Sequence, residues 1–184
     1  LKMKPLLTLC VLLMPVVATA GGQPSLVVLP LQAGQKIAPA IAQGYDKELR
    51  NVAGRKSQVV SLSNTSAAMS KAGVSAGCVT DACGNKVTNF AQARFALFSR
   101  VTNEDDIYKV QFILYDRALS KRVAKVSEEC ELCAAKEVDA TLAKAFGALA
   151  KPLAVPAPVV VKKTPPVKPV AKGRIKVVVR TKPK

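Results

Sequence analysis

The stretch FALFSRVTNEDDIYKVQFILYDRALSKRVAKVS, residues 95–127, decides the fold. Apolar and β-branched residues fill Phe95–Val101, Ile107–Asp116 and Val123–Ser127, and the two connections, Thr102–Asp106 and Arg117–Arg122, are polar and turn-forming. Connections this short join only neighbouring strands that run in opposite directions, so the pattern predicts an antiparallel meander.

Working toward the amino terminus, Ser25–Leu31 (SLVVLPL) is a nearly continuous apolar run, as a strand covered on both faces requires. Ile37, Ile41, Tyr45, Leu49 and Val52 recur every three to four residues and predict an amphipathic helix over Lys36–Val52, closed by Gly54. Gln58–Leu62 reads as a second short strand, and Ser63 or Asn64 as the cap of a helix running to Gly73. Residues 79–91 suggest a further short helix, against which Gly84 and Asn85 count. After the meander, Val138, Leu142, Ala145, Phe146 and Leu149 place Ala134–Ala150 in a helix. The order βαβα(α)βββα predicts one α/β (α+β) domain over residues 23–151, a mixed sheet with helices packed on it and the early strands parallel and central.

The ends differ in kind. LKMKPLLTLCVLLMPVVATA, residues 1–20, sets two lysines before an apolar run of Leu6–Val17 and ends in small residues, the pattern of a secretory signal peptide cleaved near Gly21. The run is shorter than the ~20 residues of a spanning helix, so no transmembrane segment is expected after cleavage. The net charge of +16 is concentrated at the other end: residues 151–184 hold ten Lys or Arg and no acid, while residues 21–150 are close to balanced. Seven of the twelve prolines also lie there, which predicts an extended Pro/Lys-rich linker over residues 152–173. In residues 174–184, Ile175, Val177 and Val179 alternate as in a strand, and one strand needs a sheet to join.

The chain contains no histidine, which excludes Ser/His/Asp triads, Cys/His pairs and histidine general bases. It has no tryptophan and 4% aromatic residues, a poor supply for base-stacking platforms. Four cysteines follow the leader: Cys78 and Cys83 as C-x4-C, Cys130 and Cys133 as C-x2-C. In an exported chain an even set reads as disulfides, and pairing within each local couple is favoured among the three connectivities. A four-cysteine zinc site is disfavoured by the long C-x4-C spacing and the oxidising compartment. A thiol–disulfide redox pair at Cys130 and Cys133 is opposed by Glu128, Glu129 and Glu131, whose carboxylates resist thiolate formation. Glu104, Asp105 and Asp106 read as a solvated turn before a cation site, and Ser61, Ser63, Thr65 and Ser66 as helix-capping residues before an anion cradle. No catalytic residue, metal or cofactor is expected.

VVLPL, the cysteine pair ahead of FALFSRV, the meander and the closing GRIKVVVRTKPK together resemble bacterial envelope proteins built from a signal peptide, an α/β domain like the amino-terminal domain of TolB or the CsgG-type secretion lipoproteins, a proline-rich linker and a PEGA domain. The resemblance implies that residues 174–184 are the first strand of a truncated PEGA-like module, with Thr181-Lys182-Pro183 as its turn. It also implies a non-catalytic binding or scaffolding role in the periplasm or cell envelope of a Gram-negative bacterium. The expected partners are envelope proteins or anionic envelope polymers, the latter met by Lys162, Lys163, Lys168, Lys172 and Arg174 of the tail, and not nucleic acid.

Overall fold

The computed structural model describes residues 23–154. The leader, most of the Pro/Lys-rich linker and the strand expected over residues 174–184 lie outside the described residues.

The first strand, β1 (Ser25–Val28), is fully buried from Leu26 onward. Its two faces serve different layers: Leu26 and Val28 join one core cluster, Val27 and the following Leu29 the other. The strand expected to reach Leu31 breaks at Pro30, which has no N–H to give to a ladder. Leu29 N donates to Leu97 O (3.0 Å), Leu31 N turns to Asp46 Oδ1 (3.0 Å), and pairing resumes only at β2 (Gln32–Ala33). Helix α1 (Pro39–Gly54) starts three residues later than its apolar period suggested. Proline at the first helical position explains this, since its fixed φ suits the first turn and its missing N–H would be unpaired there anyway. Ile37, ahead of the helix, is still buried in the core.

Strand β3 (Gln58–Val59) leads into α2 (Leu62–Ala72), capped by Ser61 and not by Ser63 or Asn64: Asn64 N donates to Ser61 Oγ at 3.3 Å. The helix ends at Gly73 in the left-handed conformation, φ 61°. Helix α3 (Asp81–Ala91) forms in spite of Gly84 and Asn85, with Thr80 Oγ1 accepting from Cys83 N at 3.3 Å as its cap.

The meander is longer than expected. β4 (Phe95–Glu104), β5 (Ile107–Asp116) and β6 (Lys121–Glu131) pair antiparallel in sequence, and Glu104 faces Ile107 across a turn of only Asp105 and Asp106. Both turn residues have positive φ, 50° and 63°, as a type I′ hairpin demands. Thr102, Asn103 and Glu104, read as loop for their polarity, form the solvated end of the ladder. Ala134–Glu137, expected in the last helix, form a turn in which Glu137 Oε2 accepts from Ala134 N (2.8 Å), and α4 covers Val138–Ala148. A last turn, α5 (Ala150–Ala154), takes in Pro152–Ala154 from the expected linker and buries Leu153.

The architecture is the expected mixed sheet with helices packed on it. The sheet order is β3-β1-β4-β5-β6, with β2 continuing β1 alongside β4. β1 is parallel to both neighbours, but β3 is an edge strand of two residues and not central, because the meander grows outward from the other side of β1. Helices α1, α4 and α5 bury one face around Phe95, Leu97, Phe112 and Leu114. The shorter pair α2 and α3 covers the other face over Val27, Leu29, Ala96, Phe98 and Tyr115.

Candidate binding surface

The two helical layers are unequal, and the inequality creates the surface. Side chains alternate along a strand, so Val110, Phe112 and Leu114 of β5 enter the core beneath α1 and α4. Tyr115, Ile113, Gln111 and Lys109 lie on the opposite face. There α3 reaches Tyr115 and half-covers Ile113, but Lys109, Arg100, Lys125, Ser127 and Glu129 are exposed. Among the described residues no helix covers the outer half of this face, from β4 to β6. Where it meets the loop before α3, a hollow of about 110 Å³ is lined by Gln32, Val79, Phe98, Arg100, Gln111 and Ile113. Gln32 Nε2 closes one wall by donating to Ala76 O. One ion pair lies on this surface: Lys109 Nζ meets Glu129 Oε1 at 2.8 Å, directly across the β5–β6 ladder.

β6 is also the last strand of the sheet, and it is eleven residues long. Its end is fixed by a disulfide. Cys130, next to last in the strand, is bonded to Cys133 in the turn that leads back toward α4, with Cα atoms 5.7 Å apart. Cys78, in the loop before α3, is bonded to Cys83 in the first turn of that helix, Cα atoms 6.1 Å apart. Each cysteine is bonded within its own local couple, and among the described residues no three Cys, Asp or Glu side chains converge. The carboxylates around Cys130 have their own partners: Glu128 Oε2 takes Lys144 Nζ at 2.7 Å and Glu129 takes Lys109. Each disulfide closes a small loop. Serine at Cys130 and Cys133, or at Cys78 and Cys83, is expected to cost about 2 kcal/mol on chain-entropy grounds, read as a lowered urea midpoint in the same buffer without reductant. Lys162, Lys163, Lys168, Lys172 and Arg174 lie outside the described residues.

A second concavity, about 410 Å³, lies between α1 and the start of α4 and includes Tyr45, Glu48, Lys136 and Asp139. Tyr45 Oη donates to Ala135 O (3.0 Å), tying α1 to the turn before α4. Burial, reinforced by Tyr108 and Asp139, pushes the Tyr45 phenol up to about 12, and burial followed by the Glu48 charge raises the Asp139 carboxyl. The phenol's proton is held on the Ala135 carbonyl. An acid whose pKa is higher folded than unfolded keeps its proton in the fold after the unfolded chain has lost it. Its stabilisation is therefore complete below pH 10 and lost as pH rises toward 12, a change of about 2–3 kcal/mol. Tyr45→Phe is expected to be about 1 kcal/mol less stable at pH 8, from the lost hydrogen bond, yet flatter between pH 10 and 12 in urea titrations.

No protein-family model matches this chain, and no curated protein does. Solved structures do. The chain is similar to Escherichia coli LpoB at 18% identity, over 60% of this chain and 59% of that one, with a TM-score of 0.47. It is similar to lipoprotein GNA1162 from Neisseria meningitidis at 12% identity, over 69% of this chain and 96% of that one, with a TM-score of 0.49. It is also similar to the PelC dodecamer from Paraburkholderia phytofirmans at 16% identity, over 73% and 89% of the two chains, with a TM-score of 0.42. The chain thus spans 59% of the length of the LpoB structure.

The cysteine pairs were legible from their spacing. The open face and the free edge were not singled out, although the alternation through residues 121–131 and its run of basic then acidic residues carried the signal.

Proposed function

We propose that this chain is a non-catalytic module of the bacterial cell envelope that binds other envelope proteins through the open β4–β6 face. The observation that carries the reading is the uneven cover of the sheet: a folded core fills one face, while exposed charged side chains and a shallow hollow occupy the outer half of the other. Two disulfides suit an oxidising compartment, in keeping with the leader read in residues 1–20. In this reading the basic tail, with Lys162, Lys163, Lys168, Lys172 and Arg174, is a solvated spacer that meets anionic envelope polymers, and the likeness to TolB- and PEGA-containing envelope proteins is one of domain plan.

The test is site-specific photocrosslinking in a Gram-negative host expressing the full chain. A photoreactive residue at Gln111, on the open face, is expected to give discrete adducts with envelope proteins; one at Gln43, on the exposed side of α1, is expected to give none of them. Identical adduct patterns at the two positions, or a chain retained in the cytosol with its leader attached and Cys78, Cys83, Cys130 and Cys133 all free, overturns the proposal.

A further inference from the structure

The outer edge of β6 is self-complementary, and we infer that it is a docking edge for a second copy of this chain, paired antiparallel about a two-fold axis near Ser127. The inference stands apart from the reading of the open face.

Which backbone groups point outward follows from one hydrogen bond. Leu132 N donates to Asp106 O at 3.2 Å, continuing the register in which Tyr108 faces Cys130 and Val110 faces Glu128. Hydrogen-bonded and non-hydrogen-bonded pairs alternate in an antiparallel ladder, so Ala124, Val126, Glu128 and Cys130 turn their N–H and C=O groups toward β5; beyond the irregularity at Leu114 and Tyr115 this parity ends, and Arg122 N donates to Asp81 Oδ1 of α3 at 3.2 Å. Lys125, Ser127, Glu129 and Glu131 turn theirs away from the sheet, where the strand order has no further member among the described residues. All four are exposed.

Exposed edges commonly carry charge to discourage pairing, and scattered charges would do that here. The charges of β6 are instead segregated: Lys121, Arg122 and Lys125 occupy its first half and Glu128, Glu129 and Glu131 its second. A strand polarised in this way repels itself in parallel, where like charges lie side by side, and attracts itself in antiparallel. A two-fold axis perpendicular to the sheet keeps each face on its own side, so only residues of equal parity face each other. With Ser127 on the axis, Lys125 of each copy faces Glu129 of the other, and Val126 faces Glu128. Sliding by one pair toward the strand's end sets Glu128 against Glu128. Sliding the other way runs the ladder into the irregularity opposite Leu114 and Tyr115. In the favoured register Glu129, already held by Lys109 at 2.8 Å, sits between two lysines, Lys109 of its own chain and Lys125 of the second copy. The two open faces then become one continuous platform.

The experiment is sedimentation of the full chain across a dilution series, with two charge reversals at exposed positions. The wild-type chain is expected to dimerise, more weakly as salt rises. Lys125→Glu and Glu129→Lys each set like charges opposite each other twice per dimer and are expected to weaken it by about tenfold or more. An equimolar mixture of the two variants restores opposite charges across the interface and is expected to dimerise more tightly than either variant alone, short of the wild type because Glu129→Lys also loses its pair with Lys109, and a folding defect could not mimic that rescue. A wild-type chain that stays monomeric at all concentrations, or variants that remain monomeric when mixed, overturns the inference. Crosslinks from Gln111 to envelope proteins would be unaffected by either outcome.

Discussion

Gly84→Ala is expected to destabilise the fold by about 2 kcal/mol, although alanine is the better helix former. A Cβ at Gly84 would lie 2.5 Å from Tyr115 Cγ and 2.8 and 2.9 Å from the two Cδ atoms, well inside contact distance. Tyr115 is fully buried, on the strand face shared with Val27, Ala96 and Phe98, so its ring has no free space to enter. Helix α3 is no freer to move: it packs against α2, β4 and β5. Overpacking of this kind costs about 1–3 kcal/mol or more, against a helix-propensity gain of about 1 kcal/mol. Packing wins. Gly44 supplies the control, since it is an exposed glycine inside α1 with nothing within 4 Å of the point an added Cβ would occupy. Gly44→Ala is expected to raise stability by about 0.5–1 kcal/mol. Urea unfolding of the two variants therefore moves in opposite directions; equal shifts would show that α3 does not seat on Tyr115.

That glycine also shows where reading the sequence stops. The meander and the helices over α1 and α4 were legible because their signals are periodic and local: alternation along the strands, recurrence at three to four along the helices. At Gly84 the local signal pointed the wrong way, counting against a helix, because its reason is a ring 31 positions further along the chain, at Tyr115. The cap of α2 was misplaced by two or three residues among Ser61, Ser63 and Asn64, which are chemically interchangeable there until the end of β3 fixes where the backbone turns. Pro30 did carry a local warning, overridden by the apolar run around it. Strand order is a global property, and the edge position of β3 follows from what pairs with β1 on its other side. The candidate surface shares that character. Lys109 and Glu129 are twenty positions apart and become a pair only through the β5–β6 register.

Asp116→Ala is expected to cost about 3 kcal/mol, far more than the loss of a charge in open water. Its carboxylate, 3% exposed, ends β5 and does two things at once. Oδ2 accepts from Arg94 Nη2 at 3.1 Å, and Oδ1 accepts from Ala118 N at 2.8 Å, fixing the turn into β6. Arg94 in turn lies 4.5 Å over the Phe95 ring and its backbone joins the ends of three segments: its N–H reaches Ser25 O at 3.1 Å and its carbonyl accepts from Arg117 N at 2.9 Å. Removing one member of a buried ion pair leaves the other's charge desolvated, at about 3–5 kcal/mol, whereas replacing both members is often close to neutral. The two effects separate by a cycle. Asp116→Asn keeps an acceptor for Ala118 but loses the charge and sets an NH2 donor against Arg94, so it should recover only the part of the deficit that belongs to the turn, and Arg94→Met combined with Asp116→Asn should be more stable than Asp116→Ala alone. The exposed pair Lys36–Asp105, at 3.9 Å with both side chains mostly in water, is the comparison: Lys36→Ala should change stability by less than about 0.5 kcal/mol. If Asp116→Ala proved as mild as Lys36→Ala in urea unfolding, the junction of β1, β4 and β5 would not depend on this charge, and the strand ends would be held by their backbone ladder alone.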